Sequence, residues 1–377
     1  MSELATTHSV SPTALAAMQT AGKPAKMLEY HGVQSVAALE PLEMELGALA
    51  HGAAAHDLGW MRRVAVRGED SGRWLSGMVT NSVKDLGPGD GAWNLVLNAQ
   101  GRILGDLTVW REGDDLTLEI TQDQQEKLLA HLEHFIIMDD VELARLGEEP
   151  GIEETALGVS GPDAAAVLER MGLKGPEEPM TSLRREYNGR NMLIERGHDG
   201  LVPHFILWTP VARLEKLWHS ISTAGAMPIG TAAVEVFRVA EGIPLYGVDM
   251  VERDLPQETS QTRALHFNKG CYLGQEIVER IRSRGNVHRH LRQLELDGPM
   301  PAPGTELKVG ALEDLPEEEG KTAGHLTSIA EVPISGAARK FALGMIRGEA
   351  EARNKPLTYT VNGETGSAWL LAAPPIF

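Results

Sequence analysis

From Trp93 to Leu97 the residues follow a strand pattern that runs into Asn98-Ala99-Gln100-Gly101, a hairpin connection. Leu107 and Val109 then alternate with polar residues until Glu112-Gly113-Asp114-Asp115 turns the chain, and Leu116, Leu118 and Ile120 alternate on a third strand. The pattern predicts an antiparallel meander. Thr121 is placed to cap a helix in which Leu128, Leu129, Leu132 and Phe135 share one face, the spacing of a helix lying on a sheet. A second helix is predicted after Gly274, with Ile277, Val278 and Ile281 as its inner stripe, Glu276 in its first turn and Gly285 as its stop.

A faint internal repeat overlies this pattern. Val66-x-Gly68-x-Asp70 leading to Leu75 recurs as Val159-x-Gly161-x-Asp163 leading to Leu168, each reading as strand, glycine turn and helix. Glycine permits the sharp turn, and a carboxylate in a first helical turn meets the positive end of the helix dipole. The pattern is either a recurrence of a common turn or the mark of two related α+β halves facing one another across a ligand crevice. Beyond about residue 291 the texture changes to short alternating segments: Pro299 to Gly304, an acidic loop from Glu313 to Gly320, and Leu357 to Val361 ending in an Asn362-Gly363 hairpin turn. Strands so short and evenly punctuated predict a small barrel or sandwich. Residues 1–44, rich in Ala, Thr and Pro with weak periodicity, read as an N-terminal extension with one short helix. The expected organisation is therefore 1–44, an α+β region over 45–290, and an all-β tail over 291–377.

Composition narrows the function. The 377 residues allow two or three domains with real cores. With 53 acidic against 35 basic side chains, the formal charge of −18 repels polyanions at long range. A local basic stretch does occur, with Arg280, Arg282, Arg284, Arg289, Arg292, His288 and His290 close together. It reads either as a solvated helix end and strand face or as a dock for an anionic tail or RNA. A single cysteine forms no internal disulfide, and the first residues lack the charged start and apolar run of a signal peptide, so a reducing, cytoplasmic setting is expected. No stretch approaches the roughly 20 apolar residues that span a bilayer, so no membrane partner is expected. Neither a G-x-G-x-x-G after a strand nor a P-loop occurs, and H-E-x-x-H and C-x-x-C are absent, so no metal site is expected. Asp139-Asp140 reads as a carboxylate pair for acid/base work or, more simply, as acceptors for turn amides.

The lone thiol has unusual surroundings. In Asn268-Lys269-Gly270-Cys271-Tyr272-Leu273-Gly274-Gln275-Glu276, Cys271 stands between a cation and a helix start. Helix N–H groups and the Lys269 ammonium both favour a thiolate, the form that acts as a nucleophile, redox sensor or metal-cluster ligand. The competing reading is a buried cysteine behaving as a small hydrophobe. One thiol does not hold an iron–sulfur cluster alone, since clusters generally take four ligands.

Lys269-Gly270-Cys271-Tyr272-x-Gly274-Gln275-Glu276 resembles the K-G-C-[FY]-x-G-Q-E signature of the YgfZ family of folate-binding proteins. The resemblance continues through His56-Asp57-Leu58, Thr80-Asn81, Leu97 to Arg102, Ile137 to Val141 and Glu235 to Pro244, leaving residues 1–44 outside. This family is related to the glycine cleavage aminomethyltransferase. The resemblance implies an α+β fold, a cloverleaf of two related α+β units with antiparallel sheets around a central channel, plus a small C-terminal β-barrel. It also implies tetrahydrofolate as cofactor and a part in iron–sulfur cluster assembly or repair and in the tRNA modification that depends on it. Carried onto this chain, Cys271 and Lys269 are the reactive pair, with Gly270, Tyr272, Gly274, Gln275, Glu276 and Arg280 completing the motif. Asn98, Asp106, Glu235, Arg238 and Tyr246 are the expected folate contacts, with Trp93 or Trp110 as further ring partners. Iron–sulfur proteins, and tRNA through Arg280–Arg292, are the implied partners.

The chain departs from the aminomethyltransferase pattern. Paired aspartates after the hairpin glycine are reduced to Asp106, Val234 replaces an arginine before Glu235, and the G-Y-T-G-E stretch has no clean counterpart near Arg196 to Gly200. A base or orienting carboxylate has to reach the transferred group, so these losses argue against glycine-cleavage chemistry. Two alternatives stand beside the folate-binding reading: a folate-dependent aminomethyl or one-carbon transferase acting through Asp106, and an RNA- or protein-binding scaffold.

Overall fold

The computed structural model describes residues 9–375 except 199, 286, 311–318 and 334–337. Most of the expected acidic loop thus lies outside the described residues. The fold is α+β with antiparallel sheets and a closed C-terminal barrel. None of the described helices is long and apolar enough to cross a membrane.

The chain divides into two compact units. The first comprises the residues up to Leu75, Val83–Trp93 and Leu107–Val234; the second comprises Ser76–Ser82, Asn94–Asp106 and the chain from Glu235 onward. The predicted meander is present as Gly91–Leu97, Ile103–Glu112 and Asp115–Thr121, continued in a five-stranded sheet by Met61–Arg67 and Glu142–Leu146. A six-stranded sheet runs Thr181–Tyr187, Arg190–Arg196, His204–Pro210, Glu154–Ser160, Ala54–Asp57 and Met227–Pro228, the last joining in parallel.

The two copies of the repeat occupy one sheet each. Met61–Arg67 leads through Gly68 to the helix Ser71–Ser76, and Glu154–Ser160 through Gly161 to the helix Ala164–Arg170. Both glycines are left-handed, at φ 104° and 122°, and a β-carbon would stand 2.0 Å from the Asp140 carbonyl oxygen in one case and 2.4 Å from that of Gly52 in the other. The turn needs glycine twice, for conformation and for space. The helix Gln122–Glu133 buries Leu128, Leu129 and Leu132 as its spacing predicts. Two details differ from expectation. Thr121 makes no side-chain cap; its hydroxyl instead accepts from Gln124 Nε2 at 2.9 Å, and Phe135 lies beyond the helix end. Of the two aspartates, Asp140 accepts from the Glu69 amide at 3.2 Å, the turn-binding role, while Asp139 forms an ion pair with Arg73 Nη2 at 2.5 Å.

The segment before residue 44 is not a bare extension. The helix Pro12–Ala21 puts Ala14, Ala16 and Ala17 into the first unit's core with Leu157, Leu207 and Trp218. Ser11 and Ser35 donate to the buried Asp57 carboxylate at 2.7 and 2.5 Å. Small residues allow close approach at little cost in side-chain entropy, which is why an alanine-rich stretch of weak periodicity packs well here.

In the second unit the tail closes as a six-stranded barrel in the order Arg289–Asp297, Arg339–Arg347, Thr322–Val332, Glu306–Val309, Leu357–Val361 and Glu364–Leu370. Leu294, Leu307, Leu326, Ile346 and Tyr359 fill it, and each large apolar side chain removed from water contributes about 1.5–3 kcal/mol. Asn362 and Gly363, at φ 51° and 87°, make the hairpin turn that the Asn-Gly pair predicts.

Candidate functional site

The signature segment belongs to the second unit, and its glycines explain its shape. The helix Gln275–Arg284 begins at Gly274, whose φ of 83° is left-handed. A β-carbon there would stand 2.6 Å from the Asn98 carbonyl oxygen and 3.0 Å from Gly101 Cα. Gly101, at φ 71°, repeats the relation, since its β-carbon would meet Ile277 Cβ at 2.8 Å. The Asn98–Gly101 turn and the helix start therefore meet backbone to backbone. Asn98 shapes that turn: its Oδ1 accepts from the amides of Gln100 and Arg102, both at 3.0 Å.

Residues 76–82 form a spine that fixes the loop ahead of the helix. The Leu273 amide donates to Gly77 O at 2.9 Å, the His266 amide to Thr80 O at 3.1 Å, Thr80 Oγ1 to Ala264 O at 2.7 Å and Asn81 Nδ2 to Arg263 O at 2.9 Å. Lys269 Nζ donates to Val79 O at 2.5 Å and Asn81 O at 2.7 Å and lies 5.1 Å from the centre of the Tyr272 ring. The ammonium expected beside the thiol is thus an anchor of the loop. Tyr272 is buried, and burial, with the Glu279 carboxylate adding to it, pushes its hydroxyl up to about 12, so it stays a neutral phenol. Its amide donates to Gln275 Oε1 at 3.2 Å. Between these anchors Gly270 and Cys271 are exposed, as is Glu276 in the first helical turn. The structure thus presents the sulfur on a fixed loop, and the reading as a buried small hydrophobe fails.

Of the expected folate positions, Glu235 and Arg238 form a bidentate pair, with Nε to Oε2 at 2.9 Å and Nη2 to Oε1. Arg238 also donates to Asp249 Oδ2 at 2.8 Å, to Ser328 Oγ at 3.0 Å and to the Ile243 carbonyl. Asp249 is 1% exposed and accepts from Thr327 and, at 2.9 Å, from the Leu245 amide. Arg238 therefore ties the helix Thr231–Glu241 to the barrel. The Glu235 side chain remains 34% exposed with its orientation set by the guanidinium. Asp106 and Tyr246 are half-buried in the same unit. Trp93 and Trp110 belong to the first unit.

The basic stretch is largely paired within its own unit. Arg289 reaches Glu258 at 2.8 Å and Asp254 at 2.9 Å, His290 reaches Glu351 at 2.6 Å, and Arg292 reaches Glu351 at 2.5 Å and Ser260 at 2.5 Å. Arg282 lies 4.6 Å above the Phe267 ring and 3.5 Å from Glu279. Arg280 is exposed. These carboxylates offset the charge that Arg289, His290 and Arg292 would present to an anionic tail or RNA.

One cluster escaped the sequence reading. In the first unit Glu119 and Glu195 are 9% and 0% exposed. Trp110 Nε1 donates to Glu119 at 3.2 Å and Trp208 Nε1 to Glu195 at 2.7 Å. Burial first, then the Glu119 carboxylate, holds the Glu195 carboxyl well above its usual range; burial also raises Glu119, against the opposing pull of Arg63. Burial thus favours the protonated form of Glu195. The available signal was the strand period: Leu116, Leu118 and Ile120 occupy one face, which puts Thr117 and Glu119 on the other, and that face is buried too.

The family model described as GCVT N-terminal domain matches residues 13–269. Among curated relatives, an aminomethyltransferase of Rubrobacter xylanophilus is 27% identical over 281 residues, 73% of each chain. One of Geobacillus kaustophilus is 24% identical over 367 residues, covering 93% of this chain and 94% of the other. The crystal structure of glycine cleavage system aminomethyltransferase T from Bartonella henselae superposes with a TM-score of 0.80 over 95% of both chains at 21% identity, a likeness of fold.

Proposed function

The chain belongs to the GCVT N-terminal domain family, and on that premise we propose that it is a tetrahydrofolate-binding protein of the YgfZ type that presents Cys271 to iron–sulfur client proteins in a reducing compartment. The observation that carries this reading is the exposed Cys271 on a loop pinned by Lys269, Thr80 and Asn81. Fixing an exposed thiol so firmly costs conformational entropy that a solvent-facing turn does not otherwise require.

The second unit's residues fit a folate. A pterin offers N–H donors along one edge, and Glu235, oriented by Arg238 and one-third exposed, is a pre-set acceptor for them. Tyr246 supplies a ring and Asp106 a second carboxylate. When bound, tetrahydrofolate supplies a carrier for one-carbon units. With one sulfur available, any cluster contact is shared with the client, which brings the remaining ligands.

Aminomethyl transfer to folate is the second reading, and the names of the relatives, matched over as much as 93% of this chain, favour it. Asp106 is then the carboxylate at the reacting group. Titration of the purified protein with 5-formyltetrahydrofolate tests what both readings share; they predict saturable binding, and no response at millimolar ligand overturns both. Cys271→Ala separates them. The first reading expects folate binding retained and rescue of iron–sulfur enzyme activity lost in a strain lacking the protein, whereas full rescue defeats it. Formation of methylenetetrahydrofolate from an aminomethyl donor by the Cys271→Ala protein establishes the second.

A further inference from the structure

The first unit carries a cavity of about 210 Å³ where the turn between Thr181–Tyr187 and Arg190–Arg196 approaches the start of the helix Leu214–Thr223. Its lining includes Arg190, Arg213 and Lys216 and no carboxylate. In a chain of net charge −18 this is an uncommon concentration of positive charge. Among the described residues neither Arg190 nor Lys216 forms an ion pair. Arg289 and Arg292, by contrast, are paired with carboxylates.

The site is built rather than incidental. Asn188 and Gly189, at φ 50° and 75°, make a tight hairpin turn that fixes the start of the Arg190 strand. Arg213 Nη1 donates to the Asn188 carbonyl at 3.3 Å, tying the helix side of the cavity to the hairpin side. The floor is apolar, with Trp208 and Leu217 almost fully buried. Three cations call for a dianion, since a carboxylate brings one charge and a phosphate monoester about 1.5–2 at neutral pH. The volume exceeds what a phosphoryl group fills.

We propose that this cavity binds a phosphate monoester, with the phosphoryl group held by Arg190, Arg213 and Lys216 and its carbon part seated on Trp208 and Leu217. The site lies within the first unit and stands independently of the folate reading. The test is isothermal titration of the full chain with phenyl phosphate, inorganic phosphate and benzoate at constant ionic strength set with chloride. One saturable site is expected, tightest for phenyl phosphate and weakest for benzoate. Arg190 and Lys216 are exposed, so Arg190→Ala/Lys216→Ala retains the fold and the wild-type melting midpoint in chloride. Each removal weakens phenyl phosphate binding about tenfold, the size of one charge-assisted hydrogen bond. Absence of saturable binding to wild type, equal affinity for phenyl phosphate and benzoate, or undiminished binding to the double variant overturns the assignment.

Discussion

Gly274→Ala tests whether the signature loop owes its shape to backbone contact. The substitution adds one methyl group. It forces an L residue to φ 83°, which costs about 1–2 kcal/mol. It also drives a β-carbon to 2.6 Å from the Asn98 carbonyl oxygen and 3.0 Å from Gly101 Cα, both backbone atoms that cannot rotate away. The hairpin turn has to shift, and overpacking of this kind costs about 1–3 kcal/mol. The expected loss is therefore about 2–5 kcal/mol, a large part of a typical domain's stability. In calorimetry that lowers the transition of the second unit by about 4–20 °C. Gly270→Ala, two residues from the helix-start anchor at Tyr272, is the control: Gly270 has nothing within 4 Å of a built β-carbon and no left-handed φ, so its change stays within about 0.5 kcal/mol. Equal melting of wild type and Gly274→Ala, or equal damage from both alanines, refutes the argument.

Three further outcomes follow from the same geometry. Glu195 has a raised pKa when folded and an ordinary one near 4.5 when unfolded, so the native state binds the extra proton and stability falls as pH rises through the interval between those values. Glu195→Gln, neutral throughout and of the same shape, flattens that slope and resists urea better than wild type at alkaline pH; an unchanged slope contradicts a Glu195 carboxyl raised by burial. Arg238→Met leaves Asp249 buried without its cation, at a cost of about 3–5 kcal/mol in urea unfolding, and Asp249→Asn in the same chain recovers part of it. Lys269→Met strips Val79 O and Asn81 O of their donor, costing about 1–3 kcal/mol, and hydrogen exchange at the Tyr272 amide reads the loosened loop; unaltered exchange there would mean that the lysine does not anchor it.

How much of the protein was legible beforehand depended on the range of each interaction. The strands of the meander, the helix after Gly274 with its stop at Gly285, the glycine turns at Gly68 and Gly161 and the Asn362-Gly363 hairpin were readable because period and turn chemistry act over a few residues. So was the signature around Cys271, whose residue types already contradicted a core. Partner choice among charges was not readable. Arg292 meets Glu351 across 59 residues and Arg238 meets Ser328 across 90, and nothing local distinguishes an arginine destined for a carboxylate from one left open, as Arg190 is.

The sequence by itself determined the local backbone: where this chain turns, which stretches alternate, and where glycine alone is tolerated. Only the tertiary structure decided which polar groups are spent. It made Lys269 an anchor of the loop, drew Arg289, His290 and Arg292 into ion pairs, buried Glu119 and Glu195 against two indoles, and packed the alanine-rich start into the core. The physical reason is that dihedral preferences are properties of neighbouring residues, whereas desolvation and Coulomb energy depend on which distant groups the fold brings within a few ångströms.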